Sequence, residues 1–161
     1  MFFLNQKLLI EARPPQPLFT FEVSEQKVSA AEGGWNNLDP QKVSMAHTAN
    51  SQWRNRAEFV TTRDELSSML TRKWDRQLDY RVIKKIWGFS SDLIAVHFAY
   101  AWHDDAGNWF RSYGNQNWEF AGNGLVAVRL GSINDLPINA EERKYFWPSG
   151  RRLDDHPSLT C

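Results

Sequence analysis

The spacing of apolar positions changes once along the chain, near Leu78. Before that point apolar residues recur at intervals of three and four. After it they alternate with polar ones. In the first half, Val28, Ala31, Trp35 and Leu38 fall on one stripe, which predicts a helix over 24–37 capped by Ser24. The Gly33-Gly34 pair weakens that helix by roughly 2 kcal/mol relative to two alanines. Asp39-Pro40 supplies a cap and a first-turn proline, so a second short helix should run to about His47. Trp53 falls in a short extended stretch. Thr62-Arg63-Asp64-Glu65 has the capping-box spacing and opens a third helix carrying Leu66, Met69, Leu70, Trp74 and Leu78.

In the second half, 79–89, 93–104, 108–121 and 125–133 read as strands rich in aromatic and β-branched residues. The turns between them are too short for parallel crossovers, so the strands form an antiparallel meander. Asn139 with Glu142 three residues on predicts a last helical turn. Helices followed by a run of strands give an α+β fold. Residues 1–20, with Pro14, Pro15 and Pro17, read as an extended tail. Residues 21–161 read as one domain with an irregular C-terminal segment.

The two later turns end in Gly107 and Gly124 and fit a type I turn with a glycine bulge. Counting back from them sets Phe98 opposite Gly114, Tyr100 opposite Ser112 and Ala99 opposite Tyr113. Large meets small at each pair. One sheet face then carries Ile94, Val96, Phe98, Tyr100, Trp102, Phe110, Trp118, Phe120, Val126, Val128 and Leu130. Its polar members are Tyr100, Ser112, Gln116 and, if the first hairpin keeps the same parity, Lys84. The helices should cover this face. The other face carries His97, Ala99, Ala101 and His103 with Trp109, Arg111, Tyr113, Asn115, Asn117, Glu119 and Arg129.

Composition narrows the function classes. The 19 basic and 19 acidic residues cancel, which argues against nucleic acid or an anionic membrane as a partner held by net charge. Mean hydropathy is -0.57 and no long apolar run occurs, so no membrane span is expected. The single cysteine, Cys161, excludes a disulfide framework and a cysteine-ligated metal site. The N-terminus lacks a signal-peptide pattern, so the expected location is cytoplasmic. Aromatic residues reach 14%, with 8 Trp. They serve as core filling or as the walls of an aromatic pocket.

Several long strings carry a family resemblance. Trp53-Arg54-Asn55-Arg56, Phe98-Ala99-Tyr100-Ala101-Trp102-His103-Asp104-Asp105, Asn108-Trp109-Phe110-Arg111-Ser112-Tyr113-Gly114-Asn115, Asn117-Trp118-Glu119-Phe120 and Gly150-Arg151-Arg152-Leu153-Asp154-Asp155-His156-Pro157 resemble domain of unknown function 1348. That family lies within the nuclear transport factor 2-like, or SnoaL-like, superfamily. The resemblance spans roughly Arg13 to Leu159. It implies three N-terminal helices packed in the concave face of a strongly curved antiparallel sheet, forming a cone, and no established activity. Ketosteroid isomerases, scytalone dehydratase, limonene-epoxide hydrolase and polyketide cyclases share the superfamily. No string here matches their catalytic motifs.

Candidate chemistry follows from the faces. A pocket between helices and sheet would be lined by Trp53, Arg54, Arg56, Lys84, Tyr100, Trp102, Ser112 and Gln116. A buried Lys84 could act as a base, Tyr100 could donate to a developing oxyanion, and Arg54 or Arg56 could grip a carboxylate. The expected ligand is a small hydrophobic or carboxylate-bearing metabolite, with acid/base isomerase, dehydratase or hydrolase chemistry. The alternative is a non-catalytic dimeric binding or scaffold module with a filled cone. No catalytic residue, cofactor or metal is assigned. His103-Asp104-Asp105 and Asp154-Asp155-His156 read as turn and tail chemistry rather than metal ligands. On the outer face Trp109, Arg111, Tyr113, Asn115, Asn117 and Arg129 suggest a homodimer interface. The competing arrangement has 136–161 folding back over that face within one chain.

Overall fold

The computed structural model describes residues 12–159. Helix α1 (Phe21–Asn36) leads to the short α2 (Pro40–Ser44), the strands β1 (His47–Asn55) and β2 (Glu58–Val60), and helix α3 (Arg63–Arg76). Four long strands follow: β3 (Leu78–Ser90), β4 (Leu93–His103), β5 (Trp109–Phe120) and β6 (Val126–Ile138). A 3-10 turn, Ala140–Glu142, closes the series. The fold is α+β, with three helices against a six-stranded sheet of order β2-β1-β6-β5-β4-β3 that does not close.

The meander has the expected register. Phe98 faces Gly114, Tyr100 faces Ser112 and Ala99 faces Tyr113. Both turns close as anticipated. The Asp104 and Ala121 carbonyls accept from Gly107 and Gly124, which hold φ of 83° and 84°. Lys84 pairs with Phe98 and points inward. The sheet also has two strands beyond the meander. β1 pairs with β2 antiparallel but with β6 parallel. A parallel partner is possible because α3 and four strands intervene in sequence.

The caps account for the helix starts. Thr62 accepts from the Glu65 N–H at 3.1 Å, and Glu65 reaches back to the Thr61 N–H at 2.8 Å. Asp39 caps α2 through the Lys42 N–H. Helix α1 starts three residues before the expected Ser24. Thr20, in extended conformation, takes the cap, and the Ser24 hydroxyl bonds back to the Thr20 carbonyl. The described part of the expected tail is docked. Phe19 is buried against Phe120, and its N–H donates to Ser91.

The face assignment needs one correction. Phe120 pairs with Val126, but Glu119 pairs with Val128, so Ala127 is an extra residue. This β-bulge flips the parity of the rest of β6. Arg129 therefore points inward and is 2% exposed, while Leu130 is exposed on the outer face. Arg129 is thus not an outer-face interface residue.

Inside, α3 buries Leu66, Met69 and Leu70 against Trp35, Trp53, Tyr80, Val82, Phe98 and Tyr100. Trp35 meets Trp53 and Trp74 edge-on, with centroids 5.7 and 5.6 Å apart. A second cluster holds Phe19 and Val28 against Ile94, Val96, Trp118, Phe120 and Val126.

The C-terminal segment folds back over the outer face. Trp147 and Leu159 bury Ile83 and Ala99 there. Arg81 donates to the Trp147 carbonyl, Arg111 donates to the Glu142 carbonyl, and Arg143 stacks on Trp109 at 4.3 Å. Arg111 is buried within one chain, while Tyr113, Asn115 and Asn117 stay exposed.

Candidate functional site

The interior of the cone has a filled centre, a polar cluster towards one end and a cavity towards the other. The polar cluster forms where β1 ends beside α3 and β6. Trp102 Nε1 donates to Ser112 Oγ at 2.9 Å, and Ser112 donates to Asp135 Oδ1 at 2.6 Å. Arg56 grips the same carboxylate with both terminal nitrogens, at 2.6 and 3.0 Å. Arg56 and Lys73 each donate to the Tyr100 hydroxyl oxygen at 3.2 Å, with Gln77 at 3.5 Å.

Burial alone would raise the Tyr100 pKa. The neighbouring charges of Lys73 and Arg56 and their hydrogen bonds outweigh it and hold the phenol below its ordinary value. For Asp135 burial again opposes, but the bonds from Arg56 and Ser112 keep the carboxyl low. Tyr100 is 1% exposed, and its oxygen is occupied by donors. It is an interior acceptor rather than a free oxyanion donor.

The centre is a cage of aromatic rings around two cations. Lys84 Nζ lies 4.6 Å from the Trp35 centroid, 4.9 Å from Phe98 and 5.9 Å from Trp118. Burial, then the Arg129 and Lys73 charges, push its pKa well below the ordinary value. The Arg129 guanidinium carbon lies 4.6 Å from Trp35, 4.8 Å from Trp118 and 5.1 Å from Trp53. Arg129 donates to Gln116 Oε1 at 2.7 Å, and its Nε has no partner among the described residues. Burial lowers its pKa to about 9, so it keeps its charge at neutral pH.

Beyond Arg129 the space between α1, α2, β5 and β6 opens into a cavity of about 550 Å³. That is within the size range of small-molecule sites. Its walls include Trp35, Val43, Trp118, Phe120 and Val126. Gly34, with nothing within 4 Å of where a side chain would begin, leaves room on the helix side. The charged residues that line it are Arg13, Lys27, Lys42 and Arg129. No Asp or Glu lines it among the described residues. Lys27 donates to the Arg13 and Gly124 carbonyls at 2.8 and 2.9 Å. Burial, then the Arg13 charge, lowers its pKa to about 8.

His47 completes the lining. Its Nδ1 lies 3.0 Å from the Val43 carbonyl, and its ring stacks on Trp53 at 5.6 Å. Burial and then the Arg129 charge lower its pKa to about 3, so it is neutral.

None of the eight pocket residues expected from the sequence lines this cavity. Trp53, Lys84 and Gln116 stand in the layer behind it. Arg56, Tyr100, Trp102 and Ser112 meet in the polar cluster. Arg54 clamps the Arg56 and Gly131 carbonyls. Sequence reasoning missed His47, Lys27, Lys42 and Arg13, which carry no local pattern. It also missed Asp135, which lies past the expected strand end at 133 and which, without the Ala127 bulge, would fall opposite Arg111 on the outer face rather than opposite Ser112.

A second cleft, of about 450 Å³, lies outside the sheet between Arg81, Ala101, Trp109 and the returning segment Arg143–Pro148. Asp104 serves the turn, accepting from Ala106 and Asn108, and Asp154 pairs with Arg151. Among the described residues no three His, Cys, Asp or Glu side chains gather as a metal site, and no helix is long and apolar enough to cross a membrane.

Solved structures share this architecture. An epoxide hydrolase/cyclase-like enzyme, SalBIII, described for pyran ring formation in polyether salinomycin, superposes with a TM-score of 0.61 at 10% identity, over 69% of this chain and 90% of its own. A hypothetical protein with a ketosteroid isomerase-like fold from Catenulispora acidiphila gives 0.59 at 17% identity, over 65% and 82%. An M. tuberculosis LEH-like epoxide hydrolase gives 0.55 at 14%, over 69% and 82%. At these identities the likeness shows the nuclear transport factor 2-like fold and no activity. No curated protein matches the sequence. Residues 17–146 match the family model described as Protein of unknown function (DUF1348), and the chain belongs to that family.

Proposed function

We propose that this protein binds a small apolar metabolite bearing a carboxylate, in the cavity between α1, α2 and the β5–β6 hairpin. One observation carries the reading: among the described residues four cationic side chains and no carboxylate line a largely apolar cavity, in a chain whose total charge is zero. Such a site favours an anionic head and an apolar body. Arg129, held among three tryptophans, is the anchor, because its fork can pair a carboxylate at two atoms. Fold neighbours described as epoxide hydrolases give acid–base chemistry on apolar substrates as the reaction class to assay first. The caged centre supports a second reading, a non-catalytic module whose core is filled.

The probe is 1-anilinonaphthalene-8-sulfonate, an apolar aromatic anion whose fluorescence rises on burial. Wild type should bind it, and Arg129→Met should weaken binding at least tenfold. Equal binding by both proteins would refute the site.

A further inference from the structure

Two residues that line the cavity each carry a buried polar atom without a partner among the described residues, and the two atoms are of opposite kind: Nε of Arg129 and Nε2 of His47. Their roles are fixed by their neighbours. The Val43 carbonyl can only accept, so His47 Nδ1 carries the hydrogen and Nε2 presents a bare lone pair. Arg129 Nε can only donate. Both side chains pack on Trp53, the His47 ring at 5.6 Å and the guanidinium at 5.1 Å.

The imidazole is held firmly. The Arg63 guanidinium donates twice to the His47 carbonyl, at 2.7 and 3.1 Å, and His47 pairs with Val126 in the β1–β6 ladder. It is 1% exposed. Buried groups are ordinarily hydrogen-bonded, so a donor and an acceptor without partners, on two residues that line one cavity, describe a ligand with both complements. The donor beside Arg129 calls for an anionic oxygen. The acceptor on His47 calls for a neutral hydrogen donor, because Arg13, Lys27 and Lys42 around the cavity would repel an ammonium.

We propose that the cavity is built for an apolar hydroxycarboxylate, its carboxylate on Arg129 and its hydroxyl donating to His47 Nε2. This rests on the anion-binding reading above and adds a second, independent contact.

The test compares mandelate, which has ring, carboxylate and hydroxyl, with phenylacetate, which lacks the hydroxyl, by calorimetric titration. Wild type should bind one enantiomer of mandelate at least tenfold more tightly than phenylacetate, a difference of about 1.4 kcal/mol. His47→Phe keeps a ring against Trp53 but removes the acceptor, and should bring that ratio to about one. A measurement on wild type covers the case in which this variant does not fold. In 15N-histidine-labelled protein, the Nε2 resonance of His47 should move with mandelate and stay in place with phenylacetate. Equal affinity for the two acids, with binding still dependent on Arg129, overturns this inference and leaves the anion reading standing. If neither acid binds, or if Arg129→Met leaves both affinities unchanged, both fail.

Discussion

Gly114→Ala tests whether the meander register is as tight as its geometry implies. A Cβ at residue 114 would sit 2.3 Å from Phe98 Cζ, 2.8 Å from Phe98 Cε2 and 2.8 Å from the Ser132 carbonyl oxygen. Neither neighbour can yield cheaply. The Phe98 ring is stacked on Tyr100 at 6.1 Å and packed against the Lys84 ammonium. The Ser132 oxygen is backbone, in a strand paired on both sides. Overpacking of this kind costs about 1–3 kcal/mol. Removing a glycine from a strand returns about 0.5–1 kcal/mol. The contacts here are at the severe end, so the expected net loss is about 2 kcal/mol, or roughly 4–8 °C in Tm for a chain of this size. Gly88→Ala is the control, since nothing lies within 4 Å of its missing Cβ. It should be neutral or slightly stabilising. Differential scanning calorimetry of both variants decides the matter. Equal melting temperatures would refute the argument from close approach.

Further outcomes follow from the same geometry. Thr62→Ala should cost about 1 kcal/mol in urea denaturation, because the Glu65 N–H loses its acceptor; an unmoved midpoint would mean that α3 does not depend on this cap. His47 ionises at about 3 in the fold against an ordinary 6.5, so the unfolded chain takes up its proton first. That contribution to stability is complete above pH 6.5 and is lost as pH falls towards 3, at about 1.4 kcal/mol per unit. His47→Phe should flatten this acid slope, and parallel slopes in the two proteins would contradict the burial argument. Tyr100→Phe strips an acceptor from Lys73 and Arg56 and should cost about 1–3 kcal/mol; a melting temperature equal to wild type would show those donors re-paired. We propose that the uncovered part of the outer face, with Tyr113, Leu130 and Leu136 exposed, pairs two copies. Sedimentation should then give twice 18.7 kDa for wild type and less for Tyr113→Ala, whereas a single 18.7 kDa species for wild type would end the dimer proposal.

How much was legible depended on range. The β4–β5 register could be counted from the sequence because Gly107 fixes the turn and nothing interrupts the ladder as far as Leu93. The same counting failed on β6 after a single step. The extra residue Ala127 has no signature in composition, and it carries Arg129 from one face to the other. Strand β1 was legible only as an extended stretch around Trp53. Its polar run His47–Asn55 lacks alternation because its burial depends on α3 and on a parallel partner far away in sequence. The cavity was the least legible part. Lys27 and Gly34 lie on α1, Lys42 just inside α2, and His47 after it, so only the packed helices bring them to Arg129. Lys84 was placed correctly because the bulge at Trp87 offsets a turn one residue shorter than the three-residue loop expected over 90–92, which restores the pairing with Phe98.

The most direct test of the central claim is a crystal structure of the wild-type protein soaked with phenylacetate. The carboxylate should pair with the Arg129 guanidinium, about 3 Å away as charge-assisted bonds require, with the ring against Val43, Phe120 and Val126. Phenylacetate found only in the outer cleft beside Trp109 and Arg143, or a cavity that holds only water at saturating acid, would contradict it.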